Sequence, residues 1–167
     1  PFEMAELKFH CRMPLFVARQ WIRHRTANVN EYSARYSEVP DLAYIPDSSR
    51  IMAQGTLNKQ SSEGELDELI RSDFVGRLQT VSSETYGDYQ EFLAKGVSRE
   101  TARMFLSVNF YTEWYWKIDL HNLFHFLSLR ADSHSQYEIR IFAEKMLDIV
   151  RILAPICTEA FENHRMR

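Results

Sequence analysis

Between Arg19 and Tyr36 the chain carries four arginines, one histidine and a single acid, Glu31. The densest part reads RHRTANVNEYSARY, residues 23–36. Arginine presents a planar fork that grips phosphate or carboxylate oxygens in pairs. Arg19, Arg23, Arg25 and Arg35 cannot all be neutralised by Glu31, so they need acids from elsewhere, water or a polyanion. For Arg19 alone the C-terminal end of a helix is explanation enough, because cations there complement the helix dipole. The whole cluster, a basic helix end followed by a loop rich in Asn, Ser and Tyr, reads as a nucleotide or phosphate site.

A second group of polar residues lies in HNLFHFLSLRADSH. His121 and His125 are four apart and share a helix face, and Asp132 and His134 follow. Such a pair can ligate a transition metal, which keeps open a metal-dependent hydrolase using His121, His125 and Asp132. The acid that accompanies the first histidine of the familiar zinc-protease motif is replaced by Asn122. A non-catalytic nucleotide-binding module is the other alternative. Arg130 lies on the apolar side of the same helix, where an unpaired guanidinium is costly. Either the helix ends near Leu129, or Arg130 meets Asp132, an anion or a carbonyl-rich ligand. Arg103 taken alone is a surface ion pair. Cys11 falls on the apolar face of its strand, a core residue rather than a nucleophile. Ser33 has no His–Asp pattern near it that would make it one.

The elements that must hold these residues follow from periodicity. Leu7, Phe9, Cys11 and Met13 alternate with Lys8, His10 and Arg12, giving a half-buried strand. Residues 15–25 read as a short helix, and 26–64 as loop with Pro40, Pro46, Gly55 and Gly64. A helical period runs from about Leu66 through Leu69/Ile70, Phe74, Leu78, Val81, Tyr89 and Phe92/Leu93, with Gly96 as its stop. Ser98 can cap a short helix over 99–106. Residues 107–119 alternate again: Phe110, Trp114, Trp116 and Ile118 face one side and Tyr111, Glu113 and Lys117 the other. Asp119 caps a helix over 120–129. Ser133 and Gln136 have capping-box spacing before the last long helix, which carries Tyr137, Ile141, Met146, Ile149/Val150 and Leu153 and which Pro155 ends or kinks. Two firm strands among helices define an α+β class: one small antiparallel or mixed sheet packed with several long helices.

The 167 residues suffice for a single domain over 1–167. With 20 basic and 23 acidic side chains and a net charge of −3, coating of nucleic acid by charge is excluded. No apolar run approaches the ~18 residues of a membrane helix, so neither nucleic acid nor membrane is a partner. Two cysteines form no disulfide framework, and a reducing cytoplasm is the default. The chain opens at Pro1 almost directly on a strand, from which an N-terminal segment is expected to be missing.

Arg23-His24-Arg25, seven residues, Ser33 and then Arg35-Tyr36 resemble the signature of the flavin-dependent thymidylate synthases. PLFVARQWIRHR, GVSRETARMFL and FLSLRADSHSQYEIR resemble further stretches of that family in the right order, and PFE resembles the end of another of its motifs. The likeness spans the chain except a polar insertion near 47–64, a lid or only a loop. It implies the fold of the thymidylate synthase complementing proteins and the reductive methylation of dUMP to dTMP, a step of nucleotide biosynthesis. Methylenetetrahydrofolate supplies the carbon, FAD is the cofactor and NADPH the reductant, and a homotetramer shares its active sites. Carried over by position, dUMP contacts fall on Gln20, Trp21, Ile22, Arg23, Glu31, Tyr32, Ser33, Ala34, Arg35, Arg103 and Arg130. FAD contacts fall on Arg23, His24, Arg25, Glu31, Asp119, Leu120, His121 and His125, with Asp119 and His121 standing where the family often has Asn and Arg. The resemblance gives Arg130 the role of an electrostatic activator of the pyrimidine, since arginine is no proton acceptor at neutral pH. No metal is required.

Overall fold

The computed structural model describes residues 1–56 and 62–165. Among them run β1 (Glu6–Pro14), α1 (Leu15–Trp21), β2 (Asn28–Glu31), β3 (Met52–Gln54), β4 (Ser62–Glu65), α2 (Glu68–Ala94), α3 (Arg99–Ala102), β5 (Tyr111–Asp119), α4 (Leu120–Arg130), α5 (Tyr137–Leu153) and α6 (Pro155–Arg165). β1, β5 and β2 form one sheet in the order β1-β5-β2, and β3 pairs antiparallel with β4. This is the α+β class, but with more strand than periodicity foresees. β2, β3 and β4 have three or four residues each, too few to establish a period of two. The β3–β4 pair falls in the insertion, part of which, residues 57–61, lies outside the described residues.

The chain divides into two compact units. The first comprises Pro1–His10, Gln20–Val29 and Tyr115–Arg167. Its centre is aromatic: Trp21 stacks on Phe126 with centroids 5.1 Å apart and meets Trp116 edge-on at 5.2 Å. All three side chains are fully buried, where such pairs add to the benefit of area removed from water. Asp119 caps α4 as its position foretells, Oδ1 accepting from the Asn122 N–H at 2.9 Å. α5 buries Ile139, Ala143, Met146, Leu147 and Val150, an i, i+4, i+7, i+8, i+11 stripe. The expected Ile141, Ile149 and Leu153 are exposed instead. Gln136 rather than Ser133 occupies the N-cap, without a side-chain bond, and the Ser133 carbonyl accepts from Arg140 Nη1 at 2.9 Å. α5 ends at Leu153, just before Pro155 as expected, and the proline itself begins α6, where it suits a first helical position.

The second unit comprises Cys11–Arg19 and Asn30–Trp114. α1 is spliced to the segment before β5, the Leu15 and Phe16 N–H groups donating to Phe110 and Val108 carbonyls at 2.9 Å each. Asn109 is buried and fully employed, its Nδ2 donating to the Tyr44 carbonyl and to Ser82 Oγ. α2 is tied to the loop by two phenols: Tyr89 Oη accepts from the Val39 N–H at 3.0 Å, and Tyr86 Oη donates to the Val39 carbonyl at 3.1 Å. Gly96, at φ +88°, closes α2 as expected. Its N–H donates to the Leu93 carbonyl and that of Val97 to the Phe92 carbonyl, both at 3.0 Å, the Schellman arrangement that favours glycine. Within α2 only Ser82 and Tyr89 are buried, while Leu69 is 80% exposed and Ile70 and Phe74 are exposed too. The periodic apolar face of α2 is thus largely uncovered. Ser98 stands at the N-cap of α3 without a capping bond, its Oγ meeting Thr101 Oγ1 at 3.0 Å, and the helix gives way to a 3-10 turn over Arg103–Phe105.

Candidate functional site

The second unit holds a cleft of about 760 Å³, lined among others by Arg12, Glu31, Ser33, Arg35, Arg103 and Glu113. That is within the usual size of a small-molecule site. All five residues from Glu31 to Arg35 line it together with Arg103, so positions far apart in sequence to which the resemblance assigns dUMP contacts share one cavity. The acids and bases here divide sharply. Arg12 Nε is paired with Glu113 Oε2 at 2.8 Å, and Arg99 with Glu38 at 3.4 Å. Glu31 Oε1 accepts from Thr112 Oγ1 at 2.6 Å. Arg35 and Arg103 have no carboxylate partner among the described residues. Arg35 lies over the Tyr36 ring at 5.3 Å, and Arg103 Nε donates to the Glu100 carbonyl at 3.3 Å. Arg103 is therefore not the surface ion pair that its isolated position suggests. Ser33 Oγ accepts from the Arg35 N–H at 3.4 Å, a local turn bond and no nucleophile's dyad. Two cationic forks without carboxylate partners among the described residues are what a phosphomonoester needs.

Arg12, Thr112 and Glu113 were not singled out from sequence. Arg12 and Glu113 do sit on the polar faces of alternating strand patterns, which is the signal that could have marked them. Their pairing spans 101 residues and depends on strand register, which the pattern does not give.

In the first unit, α1 ends at Trp21, four residues short of the expected helix end, and the chain turns with the His24 N–H donating to the Trp21 carbonyl at 3.0 Å. Trp21 is core. Ile22, Arg23 and Arg25 are exposed, and neither arginine has a carboxylate partner among the described residues. Gln20 Oε1 is buried with no hydrogen-bond donor among the described residues. α4 ends near Leu129 as expected, one residue on, with half-buried Arg130 as its last residue. Its Nε donates to His24 Nε2 at 3.0 Å, while Asp132 Oδ1 accepts from the N–H and Nδ1 of His134. His24 thus fills the role foreseen for Asp132 or a ligand. Burial, then the Arg130 charge, then His125 push the His24 imidazole down to about 4, so it is neutral at physiological pH. Burial likewise lowers the Arg130 guanidinium from its ordinary value, without depriving it of its proton at neutral pH.

The remaining implied flavin positions are dispersed. Both carboxylate oxygens of Asp119 are engaged by Asn122, whose bonds hold its pKa below the usual range against the upward push of burial. Leu120 is buried and donates its N–H to the Ala5 carbonyl at 2.8 Å. His121 lines a separate cleft of about 260 Å³ with Phe2, Phe124, Ala160, Phe161 and His164. His125 is exposed, its ring 6.4 Å from that of His24. Among the described residues no three His, Cys, Asp or Glu side chains stand together as a metal site needs, which removes the structural basis of the hydrolase alternative. Cys11 is buried, and burial pushes its thiol up to about 11, so no thiolate nucleophile arises there at neutral pH.

Fold and cleft together define an α+β protein with a cleft of small-molecule size that holds two arginines without carboxylate partners among the described residues. Residues 1–156 match the family model of the thymidylate synthase complementing proteins, and the chain belongs to that family. A flavin-dependent thymidylate synthase of Rickettsia conorii is 50% identical over 180 residues, covering all of this chain and 61% of that protein. One of Dictyostelium discoideum is 56% identical over 161 residues, covering 96% of this chain and 53% of that protein. The chain thus spans little more than half the length of the curated relatives it matches. The crystal structure of a UMP/dUMP methylase from Streptomyces cacaoi, bound with 5-Br UMP, superposes with a TM-score of 0.92 at 34% identity, covering 99% of this chain and 76% of that one. Among the described residues no helix is long and apolar enough to cross a membrane.

Proposed function

We propose that this chain is the greater part of a flavin-dependent thymidylate synthase that converts dUMP to dTMP. In this reading methylenetetrahydrofolate gives the carbon and NADPH the electrons. The observation that carries it is the pair of cations without acids among the described residues, Arg35 and Arg103, in a cleft whose other arginine, Arg12, is already neutralised. A phosphomonoester satisfies both forks. Ser33, Tyr32 and Ala34 complete the lining, and Glu31, held by Thr112, supplies an acceptor. Gln20 Oε1, buried and without a donor, suits an imide N–H of a pyrimidine. In the first unit Arg130 takes the part that the family resemblance gives it, a charge that activates a pyrimidine. A cation against the ring oxygens and nitrogen stabilises the ionised base as charge develops, and no cysteine is required.

FAD fits the donor set of the first unit, for its pyrophosphate needs cations and Arg23 and Arg25 are exposed without acids; when bound it supplies the hydride that completes the methyl group. The His24 and His125 rings stand 6.4 Å apart in the same unit. The exposed Leu69, Ile70 and Phe74 of α2 support assembly with further copies, the homotetramer that the family resemblance implies. The single domain remains part of this reading.

The test is spectroscopic and then chemical. The protein is mixed with FAD and titrated with dUMP, and dTMP is assayed after adding methylenetetrahydrofolate and NADPH. Flavin uptake, a dUMP-dependent change of its absorption and dTMP formation are the expected results. Stoichiometric zinc or iron with no flavin uptake would overturn the proposal.

A further inference from the structure

Arg130 is held by a neutral group rather than by an acid. Its Nε is engaged by His24 Nε2 across 106 residues of sequence, and its two Nη groups have no protein partner among the described residues. The imidazole is itself fixed from two sides. The His24 main chain is bonded to the Trp21 carbonyl. The ring stands edge-to-face against fully buried Phe126, with centroids 4.9 Å apart at 79°. Phe126 is on α4, the helix that ends in Arg130, so one helix fixes both partners of the bond.

An imidazole nitrogen accepts a hydrogen bond only when the proton sits on the other nitrogen and the ring is neutral. A carboxylate in the same place would hold the guanidinium more tightly, but it would also cancel much of the charge that a developing anion feels. We propose that His24 is a positioning residue: through Nε2 it fixes the direction of the Arg130 fork and leaves its positive charge uncompensated for the nucleotide base. This rests on the proposed function for the nature of the ligand. The charged and titratable groups bearing on His24 are Arg130 and His125, and with burial they hold it neutral across the physiological range. The nitrogen committed to Arg130 is not available to a flavin. Any contact His24 makes there uses the rest of the ring.

Two measurements test it. The first is 15N NMR of the histidine-labelled chain. His24 is expected as the Nδ1-protonated neutral tautomer at pH 7 and still at pH 5, and in Arg130→Met its titration moves upward and the tautomer preference fades. A His24 that is protonated on Nε2, or that titrates near 6.5 in the unmodified chain, overturns the pairing whatever the protein catalyses. The second is a variant series assayed with FAD and dUMP. His24→Phe should lower kcat about ten- to a hundredfold while the KM for dUMP stays within about twofold. His24→Gln, a neutral acceptor, should restore kcat to within about threefold of the unmodified protein. His24→Glu, a charged acceptor, should be as slow as His24→Phe although it holds Arg130. A His24→Phe variant at full kcat, or a His24→Glu variant faster than His24→Gln, contradicts the proposal. If the unmodified protein makes no dTMP, the function is wrong, and the NMR result alone decides whether His24 holds Arg130.

Discussion

Arg35 and Arg103 in one unit and Arg130 in the other are kept available in opposite ways. The first two are exposed and have no carboxylate partner among the described residues, so water keeps them charged until an anion arrives. Arg130 is half-buried, where an unpaired charge is costly, and a neutral imidazole holds it in one orientation. Exposed cations that reorganise on binding contribute to affinity. A fixed, partly desolvated charge can act selectively on a transition state, because it costs no reorganisation when charge develops. The contrast with Arg12 is as instructive: it lines the same cleft as Arg35 and Arg103, but Glu113 already neutralises it.

The division can be broken at either end. Arg130→Ala should lower kcat by about 10²–10³ with the KM for dUMP and FAD uptake little changed, as read from steady-state dTMP formation and flavin titration. Arg35→Ala and Arg103→Ala should each raise the KM for dUMP about ten- to a hundredfold, the loss of a charged hydrogen bond of ~1.5–3 kcal/mol, with kcat nearly intact. Raising the ionic strength should mimic these two variants and not Arg130→Ala, since exposed charges are screened and half-buried ones less so. Asp119→Ala removes a helix cap and should cost about 1 kcal/mol, a fall of roughly 2–4 °C in the thermal midpoint. The smallest effect is on the pH dependence of stability. An unfolded His24 takes up a proton near 6.5, the folded one only near 4. The unfolded state therefore binds more protons between these values, and stability falls as pH drops through that window. The size is modest for a half-exposed group, and His24→Gln should remove it from denaturant curves at pH 7, 5.5 and 4.

Local signals in the sequence reached some of this arrangement and not the rest. The alternation of residues 107–119 and the acid at 119 give β5 and the cap of α4, because both are decided within a few residues. Gly96 marks the end of α2 for the same reason. β2 and the β3–β4 pair are too short for a period, and the two prolines around them read as loop. The apolar period of α2 is real, but it does not say what covers that face, and in the single chain very little does. Among the site residues, Arg35 and Ser33 stand out because they crowd together in sequence. The bonds that give them meaning do not: Tyr89 to Val39, Thr112 to Glu31 and Arg130 to His24 join residues 50, 81 and 106 apart. Arg130 looked anomalous on its helix, which was the correct warning, but nothing nearby in sequence named His24 as the partner.

The claim that phosphate and base are recognised by different arginines is tested most directly by calorimetric binding of dUMP and of deoxyuridine, which lacks the phosphate. The unmodified protein should bind dUMP about a hundredfold more tightly or better. In the Arg35→Ala/Arg103→Ala double variant that preference should shrink to less than about tenfold, and in Arg130→Ala it should persist at full size. A double variant that still prefers dUMP as strongly as the unmodified protein, or an Arg130→Ala variant that loses the preference, would contradict the account.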